Sequence, residues 1–521
     1  MDTKKIILVT LSPKTHRTSE ENLGLEYLKS CLVEKNYDVK IIDAWLNELD
    51  VKTVYDEIMQ DKDNILFVGI SSYMSNTKPT LELIKMLKST DENIKVACGG
   101  FGPTFYPAEY LNNGADFVMR GEGEDVICML ADALNYNKSF EKIYSIGYKK
   151  REDIILNPML PLREDLDALP FPSRDTMEVV RKNKSTVNMV TSRGCSGNCD
   201  FCSVISFFRL SNGKIWRTRS INNIVDEIEQ LYKQGITHIK MVDDSFIDGI
   251  RDENWCKEFA DEIEKRDIHV RLRGQIRADK VTDGILEHLK RAGFFSFACG
   301  IENGSETALK RMSKMANVSD NKRALQLFKK HGYIVQMGYI LFDKYTTFEE
   351  LEENYKFMEE NAFAVTKGIF SEMFSAEGTK LNDTLRKNGE LIESNFVDNN
   401  NKYTIRDIHV ENIYKALKTW HKSHSKVYDM TIDPVIAPKA IDEDTMYEFY
   451  NYIMELKKED LEFFKNVLIY SKEHPETELS QFVNNQIENS KGKYKAIEEN
   501  IEKVYRKANL CYHADINPFI W

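Results

Sequence analysis

The 521-residue sequence has no apolar stretch near the roughly 20 residues that a membrane-crossing helix needs. Its amino-terminal apolar run, residues 6–11, lacks a small-residue cleavage site and reads as a first strand rather than a signal peptide, so the expected location is cytoplasmic with no membrane partner. No long basic block occurs. The 71 Lys and Arg are outnumbered by 83 Asp and Glu, a net charge of −12, which disfavours nucleic acid as the main partner. Nine cysteines, an odd number, argue against a disulfide framework and fit a reducing compartment. Gly-x-Gly-x-x-Gly does not follow the first strand, which sets NAD and flavin aside. What remains, 42% hydrophobic and 30% charged, is a globular chain long enough for three or four domains.

Six cysteines are scattered, but Cys195, Cys199 and Cys202 form a CxxxCxxC triplet. Nine cysteines placed at random would produce that spacing roughly 0.003 times. Gly194 and Gly197 let the loop curl so that three thiolates can converge. Three sulfurs suit a [4Fe–4S] cluster with one iron left open. A structural zinc site is the alternative, but it needs a fourth ligand, and the nearest downstream candidate, His238, lies beyond a predicted helix.

This spacing, with aromatic Phe201 before the last cysteine, resembles the signature of the radical S-adenosylmethionine superfamily. The resemblance implies that the open iron chelates the amino and carboxylate groups of S-adenosylmethionine, that Phe201 packs near the adenine, and that one electron from a donor such as flavodoxin or ferredoxin releases a 5′-deoxyadenosyl radical. Downstream, apolar strands at 187–193, 238–243, 269–273, 295–299, 334–341 and 365–370 alternate with amphipathic helices. Six such units resemble the superfamily's partial (β/α)6 barrel, whose chemistry sits at the carboxyl ends of the strands. The resemblance places S-adenosylmethionine contacts at Asp243, Asp244 and Ser245 after strand two, at Arg273 and Gln275 on strand three, and at Glu302 and Ser305 in a segment similar to the family's GIESGS. Asp244 or Ser245 could instead cap the next helix, and Arg273 or Arg277 could be solvated or paired with acids. Lys344 and Glu377 stand where the family's loops carry proline.

Residues 4 to about 135 also alternate strand and helix, with strands at 5–10, 38–43, 65–71, 94–98 and 117–119, as in a doubly wound sheet that binds ligands beyond its carboxyl edge. The loops there resemble the cobalamin-binding domain found in front of some radical S-adenosylmethionine barrels. That resemblance implies cobalamin contacts at Ser71, Ser72, Tyr73 and Met74, at Gly99, Gly100, Gly102, Pro103 and Thr104, and at Gly121, Glu122 and Gly123. Asp-x-His-x-x-Gly is absent and His16 lacks its flanking pattern, so no histidine ligand to cobalt is expected; Tyr73 or Met74 could approach its lower face, or simply pack.

The expected organisation is an α/β chain: a Rossmann-like cobalamin domain over 1–140, a proline-bearing linker over 141–185, the barrel over 186–390, and a helical domain over 391–521 covering the substrate. Arg217 and Arg219 could neutralise a cofactor or line a solvated edge, and His421 and His424 have a metal pair's spacing without a third-ligand motif. The family implies methyl transfer from methylcobalamin to an unactivated carbon of a small-molecule or peptide substrate. Its rivals are a non-methylating rearrangement, cyclisation or ring contraction, and a non-catalytic cobalamin or redox sensor.

Overall fold

The computed structural model describes residues 4–13, 20–366, 368–398, 400–436, 439–474 and 479–510. In the amino-terminal part, β1 (Lys5–Thr10), β2 (Asp38–Asp43), β3 (Ile65–Ser71), β4 (Val96–Gly99) and β5 (Phe117–Met119) form a parallel sheet. Ile6 to Val9 of β1 are at most 1% exposed, because helices cover both faces of the sheet. Two antiparallel strands, β6 (Ile146–Lys150) and β7 (Asp153–Leu156), extend it to the order β2-β1-β3-β4-β5-β6-β7. The sheet therefore takes in residues that the sequence reading gave to the linker.

The second half is built on five parallel strands in the order β14-β13-β12-β11-β8: β8 (Val187–Met189), β11 (His238–Met241), β12 (Arg271–Arg277), β13 (Phe294–Glu302) and β14 (Ile334–Tyr339). The run expected as one strand over 187–193 is two, because β9 (Ser192–Arg193) leaves the sheet and pairs antiparallel with β10 (Arg217–Thr218). The expected sixth strand is reduced to single bridges, Gln336 to Val365 and Phe342 to Glu372. Gly368, at φ 102°, bends the chain between them.

Four helices close the carboxyl-terminal region: Ile408–Ser423, Ser425–Ile436, Glu443–Glu473 and Ser480–Ala508. Met446, Phe449, Ile453, Leu456, Leu461, Phe464 and Leu468 are buried, as their spacing predicts. These side chains belong to the same apolar core as Phe297 and Phe328 of the barrel. Each such buried ring contributes about 2 kcal/mol. Among the described residues no helix is long and apolar enough to cross a membrane.

Candidate active site

Gly194 ends β9 at φ 83°, and a Cβ there would lie 2.0 Å from the Ile215 carbonyl oxygen. Only glycine fits both the close approach and the left-handed backbone. The loop that follows carries the three cysteines and is tied down on several sides. Gly194 N–H donates to Asp244 at 2.9 Å, and Ser196 donates to Asp248 through its amide at 2.9 Å and its hydroxyl at 2.6 Å. Ser313 donates to Asp200 at 2.8 Å, and Cys202 caps the helix Ser203–Phe208. Gly197 N–H donates to Cys195 Sγ at 3.3 Å.

Cys195, Cys199 and Cys202 line a cavity of about 1090 Å³ that runs from the barrel lumen to Glu20, Leu46, Asn47 and Glu48 of the amino-terminal part. No three His, Cys, Asp or Glu side chains among the described residues close on a point as they would around one ion. The open arrangement of the cysteines suits a cluster of four irons better than a single zinc. Burial pushes all three thiols up, Cys202 to about 11, so deprotonation depends on the positive charge of bound iron.

The lumen is unlike a packed barrel interior. Its wall is small and polar, with Lys240, Arg273, Gln275, Ala298, Gly300, Gln336 and Gly338 where barrels usually carry Val, Ile and Leu. Glu302, at φ 63°, pairs with Lys314 at 2.9 Å, and Arg277 reaches Ser196 at 2.9 Å.

Of the expected S-adenosylmethionine contacts, Phe201, Asp244, Arg273, Gln275 and Glu302 line this cavity. Three others do other work. Asp243 is fully buried, accepting from Thr191 N–H at 2.6 Å and Ser192 Oγ at 2.8 Å and pairing with Arg251 at 3.3 Å. Buried Ser245 donates to Ile247 O at 3.1 Å, and Ser305 shares a hydrogen bond with Thr307 at 3.0 Å. Asp252, rather than Asp244 or Ser245, caps the next helix. Lys314, Asp248 and Glu20 were not singled out from sequence, since no local motif marks them.

The expected cobalamin residues gather at the carboxyl edge of the seven-stranded sheet. A Cβ on Gly100, at φ 99°, would lie 2.7 Å from Ser72 O, and one on Gly102 would lie 2.5 Å from Tyr110 Oη. The loop is thus a glycine cradle packed tightly against Ser72 and Tyr110, and it runs into the short helix Phe101–Phe105, which includes Gly102. Phe101 stacks on Phe207 of the helix after the cysteine loop, with centroids 4.6 Å apart, so cradle and cysteines adjoin. Tyr73 is exposed and Met74 half-buried, whereas Ser72 is buried and bonded to Tyr110 at 2.7 Å. Gly102, Pro103 and Thr104 are buried, and Ser71, Gly99, Gly121 and Gly123 are half-buried. Gly121 N–H donates to Thr104 Oγ1 at 3.1 Å. Glu122 is occupied by Arg193 at 2.9 Å and Arg217 at 2.8 Å. Arg217 is therefore neither solvated nor free, and Arg219 is buried against Glu227. His16 lies outside the described residues. Without the family's proline, the turn at Lys344 is closed by Asp343 N–H donating to Thr346 at 2.8 Å.

Residues 15–131 match the B12 binding domain family, and residues 189–358 match the radical SAM superfamily. An uncharacterized methyltransferase of Pyrococcus horikoshii is 27% identical over 444 residues, 84% of this chain and 92% of that protein. The anaerobic magnesium-protoporphyrin IX monomethyl ester cyclase of a Synechocystis species is 26% identical over 343 residues, 64% of this chain and 65% of the cyclase. In fold, 99% of the chain superposes on 83% of the cobalamin-dependent S-adenosylmethionine radical enzyme OxsB, with a TM-score of 0.78 at 18% identity. The methyltransferase TsrM from Kitasatospora setae superposes over 70% of this chain and 72% of its own, with a TM-score of 0.60 at 18% identity. Three cysteines open to a lumen, beside a glycine cradle on a doubly wound sheet, meet the needs of a [4Fe–4S] cluster, S-adenosylmethionine and cobalamin together. The chain is a member of the cobalamin-dependent radical S-adenosylmethionine enzyme family.

Proposed function

We propose that the chain transfers a methyl group to an unactivated carbon of a small-molecule or peptide substrate held in the barrel lumen. The observation that carries this reading is the single cavity bounded at one end by Cys195, Cys199 and Cys202 and reaching the amino-terminal part at the other. When bound, the cluster with S-adenosylmethionine supplies a hydrogen-abstracting radical, and cobalamin supplies a methyl group that a carbon radical can accept. Cys195, Cys199 and Cys202 would hold three irons. Asp244, whose carboxyl is pushed up to about 6 by burial, and Gln275 would contact S-adenosylmethionine from the strand ends, with Phe201 against its adenine. Glu302, kept in place by Lys314, would accept from its ribose hydroxyls. Gly99, Gly100 and Gly102 would let cobalamin approach backbone, with Tyr73 and Met74 near its face. The carboxyl-terminal helices would exclude water from the lumen.

An electron donor such as flavodoxin or ferredoxin completes the reading. The net charge of −12 supports a substrate other than nucleic acid, and the free thiols of all eight described cysteines support a cytoplasmic setting. The cyclase relatives favour a second reading, in which the same radical closes a ring without methylation. Anaerobic turnover with CD3-labelled S-adenosylmethionine decides between them. Label in a product in which one CD3 group has replaced one hydrogen supports methylation, and an unlabelled cyclised product supports the second reading.

A further inference from the structure

Three cations on the lumen wall are paired with carboxylates, and Arg273 is not. Lys240 pairs with Glu20 at 2.7 Å, Arg277 with Asp279 at 2.7 Å and Lys314 with Glu302 at 2.9 Å. Arg273 lines the same cavity and is 3% exposed. Its Nη1 donates to Ser296 Oγ at 2.9 Å and its Nη2 to Gln336 Oε1 at 2.5 Å, both neutral. No described carboxylate lies within ion-pair distance of it. Glu20, the carboxylate that bears on it from further off, is committed to Lys240 and to Asn188 at 3.3 Å. A guanidinium has five N–H donors, so three remain for an occupant of the lumen. Burial depresses Arg273 to about 10, so an anion brought alongside it would regain part of what desolvation costs the guanidinium.

Depth separates this group from the cofactor end. In the sheet register Arg273 lies beside Lys240 and Ser296, whereas Arg277, four residues on, reaches the cysteine loop at Ser196. Four residues of strand span about 13 Å. A group bound at the level of the cysteines would meet Arg277 first, and one reaching further along the lumen would meet Arg273.

We infer that Arg273, oriented by Ser296 and Gln336, is the subsite for an anionic group, carboxylate or phosphate, on the substrate. This rests on the reading of the cavity given above and adds a substrate class to it. The test uses the full chain reconstituted anaerobically with cluster and cobalamin, and titrates it at low salt with inorganic phosphate and, separately, acetate. Wild type should bind at least one anion, and Arg273→Met should weaken that binding about tenfold or more, with Arg273→Lys in between. Which anion binds more tightly separates a phosphorylated from a carboxylated substrate.

If Arg273→Met does not fold, Arg273→Gln removes the charge while retaining polar contacts, and the same comparison applies. Binding of neither anion by wild type, or equal binding by the charge-free variant, overturns the subsite. Equilibrium dialysis with S-adenosylmethionine guards against a cofactor role: affinity should stay within about twofold of wild type, and a parallel loss would reassign the guanidinium and sink the inference. Iron content and 5′-deoxyadenosine release, followed in the same samples, test the functional reading independently of the subsite.

Discussion

Arg193, on the short strand leading into the cysteine loop, lies 2.9 Å from Glu122, in the turn after β5. The same guanidinium also holds Glu124, and Arg217 grips Glu122 from β10. The cobalamin part and the cluster loop are thus fastened by a shared charge cluster whose members are 1% to 15% exposed. Arg193→Met leaves largely buried Glu124 without its cation and Glu122 with Arg217 alone, and should cost about 3 kcal/mol. Chemical denaturation compared with wild type checks this, and an unchanged midpoint would contradict it.

The cysteines divide into two classes. Cys195→Ala, Cys199→Ala and Cys202→Ala should each abolish retention of iron after anaerobic reconstitution. Cys256→Ala, in the fully buried core, should leave the iron content unchanged and cost about 1 kcal/mol of stability. Iron analysis together with visible absorbance separates the outcomes.

Gly100→Ala meets two obstacles at once: the left-handed φ of 99° and a carbonyl oxygen 2.7 Å from the new methyl. The expected loss is about 1–3 kcal/mol, with cobalamin retention reduced and iron content preserved. Wild-type cobalamin stoichiometry in this variant would show that the cradle does not hold the cofactor.

Acid should loosen the carboxyl-terminal helices. Burial depresses His421 to about 3 and His424 to about 4, against about 6.5 in an unfolded chain. Since the folded values are the lower ones, the unfolded chain takes up protons first as pH falls. The contribution is whole above about pH 6.5 and is lost below it, by up to about 2.7 kcal/mol per pH unit for the two rings. Denaturation midpoints between pH 7.5 and 5 should fall accordingly, and His421→Phe should lessen the slope. The sequence had marked these two as a possible metal pair. His421 instead stacks on Tyr428 and His424 on Tyr494.

How much of this was legible in the sequence depended on range. Strands buried on both faces, such as Ile65–Ser71, announce themselves as apolar runs, and the cysteine triplet is a local motif. The sixth barrel strand misread because Val365 and Ile369 are buried by packing while Gly368 breaks the extended backbone. Asp243 and Asp244 could not be told apart from sequence, since neighbours at a strand end point to opposite sides. Only the fold reveals that Asp244 lines the lumen while Asp243 braces the loop from behind. Lys314 and Glu20 join the site from distant segments and carry no local signature.

The carboxyl-terminal helices and the barrel have one apolar interior between them. Those helices therefore cannot swing away as a hinged cover without tearing that interior open, and a cut near residue 390 would leave two sticky fragments rather than two working pieces. New substrates must accordingly be accommodated by exchanging individual side chains along the wall, not by trading the whole cap for another.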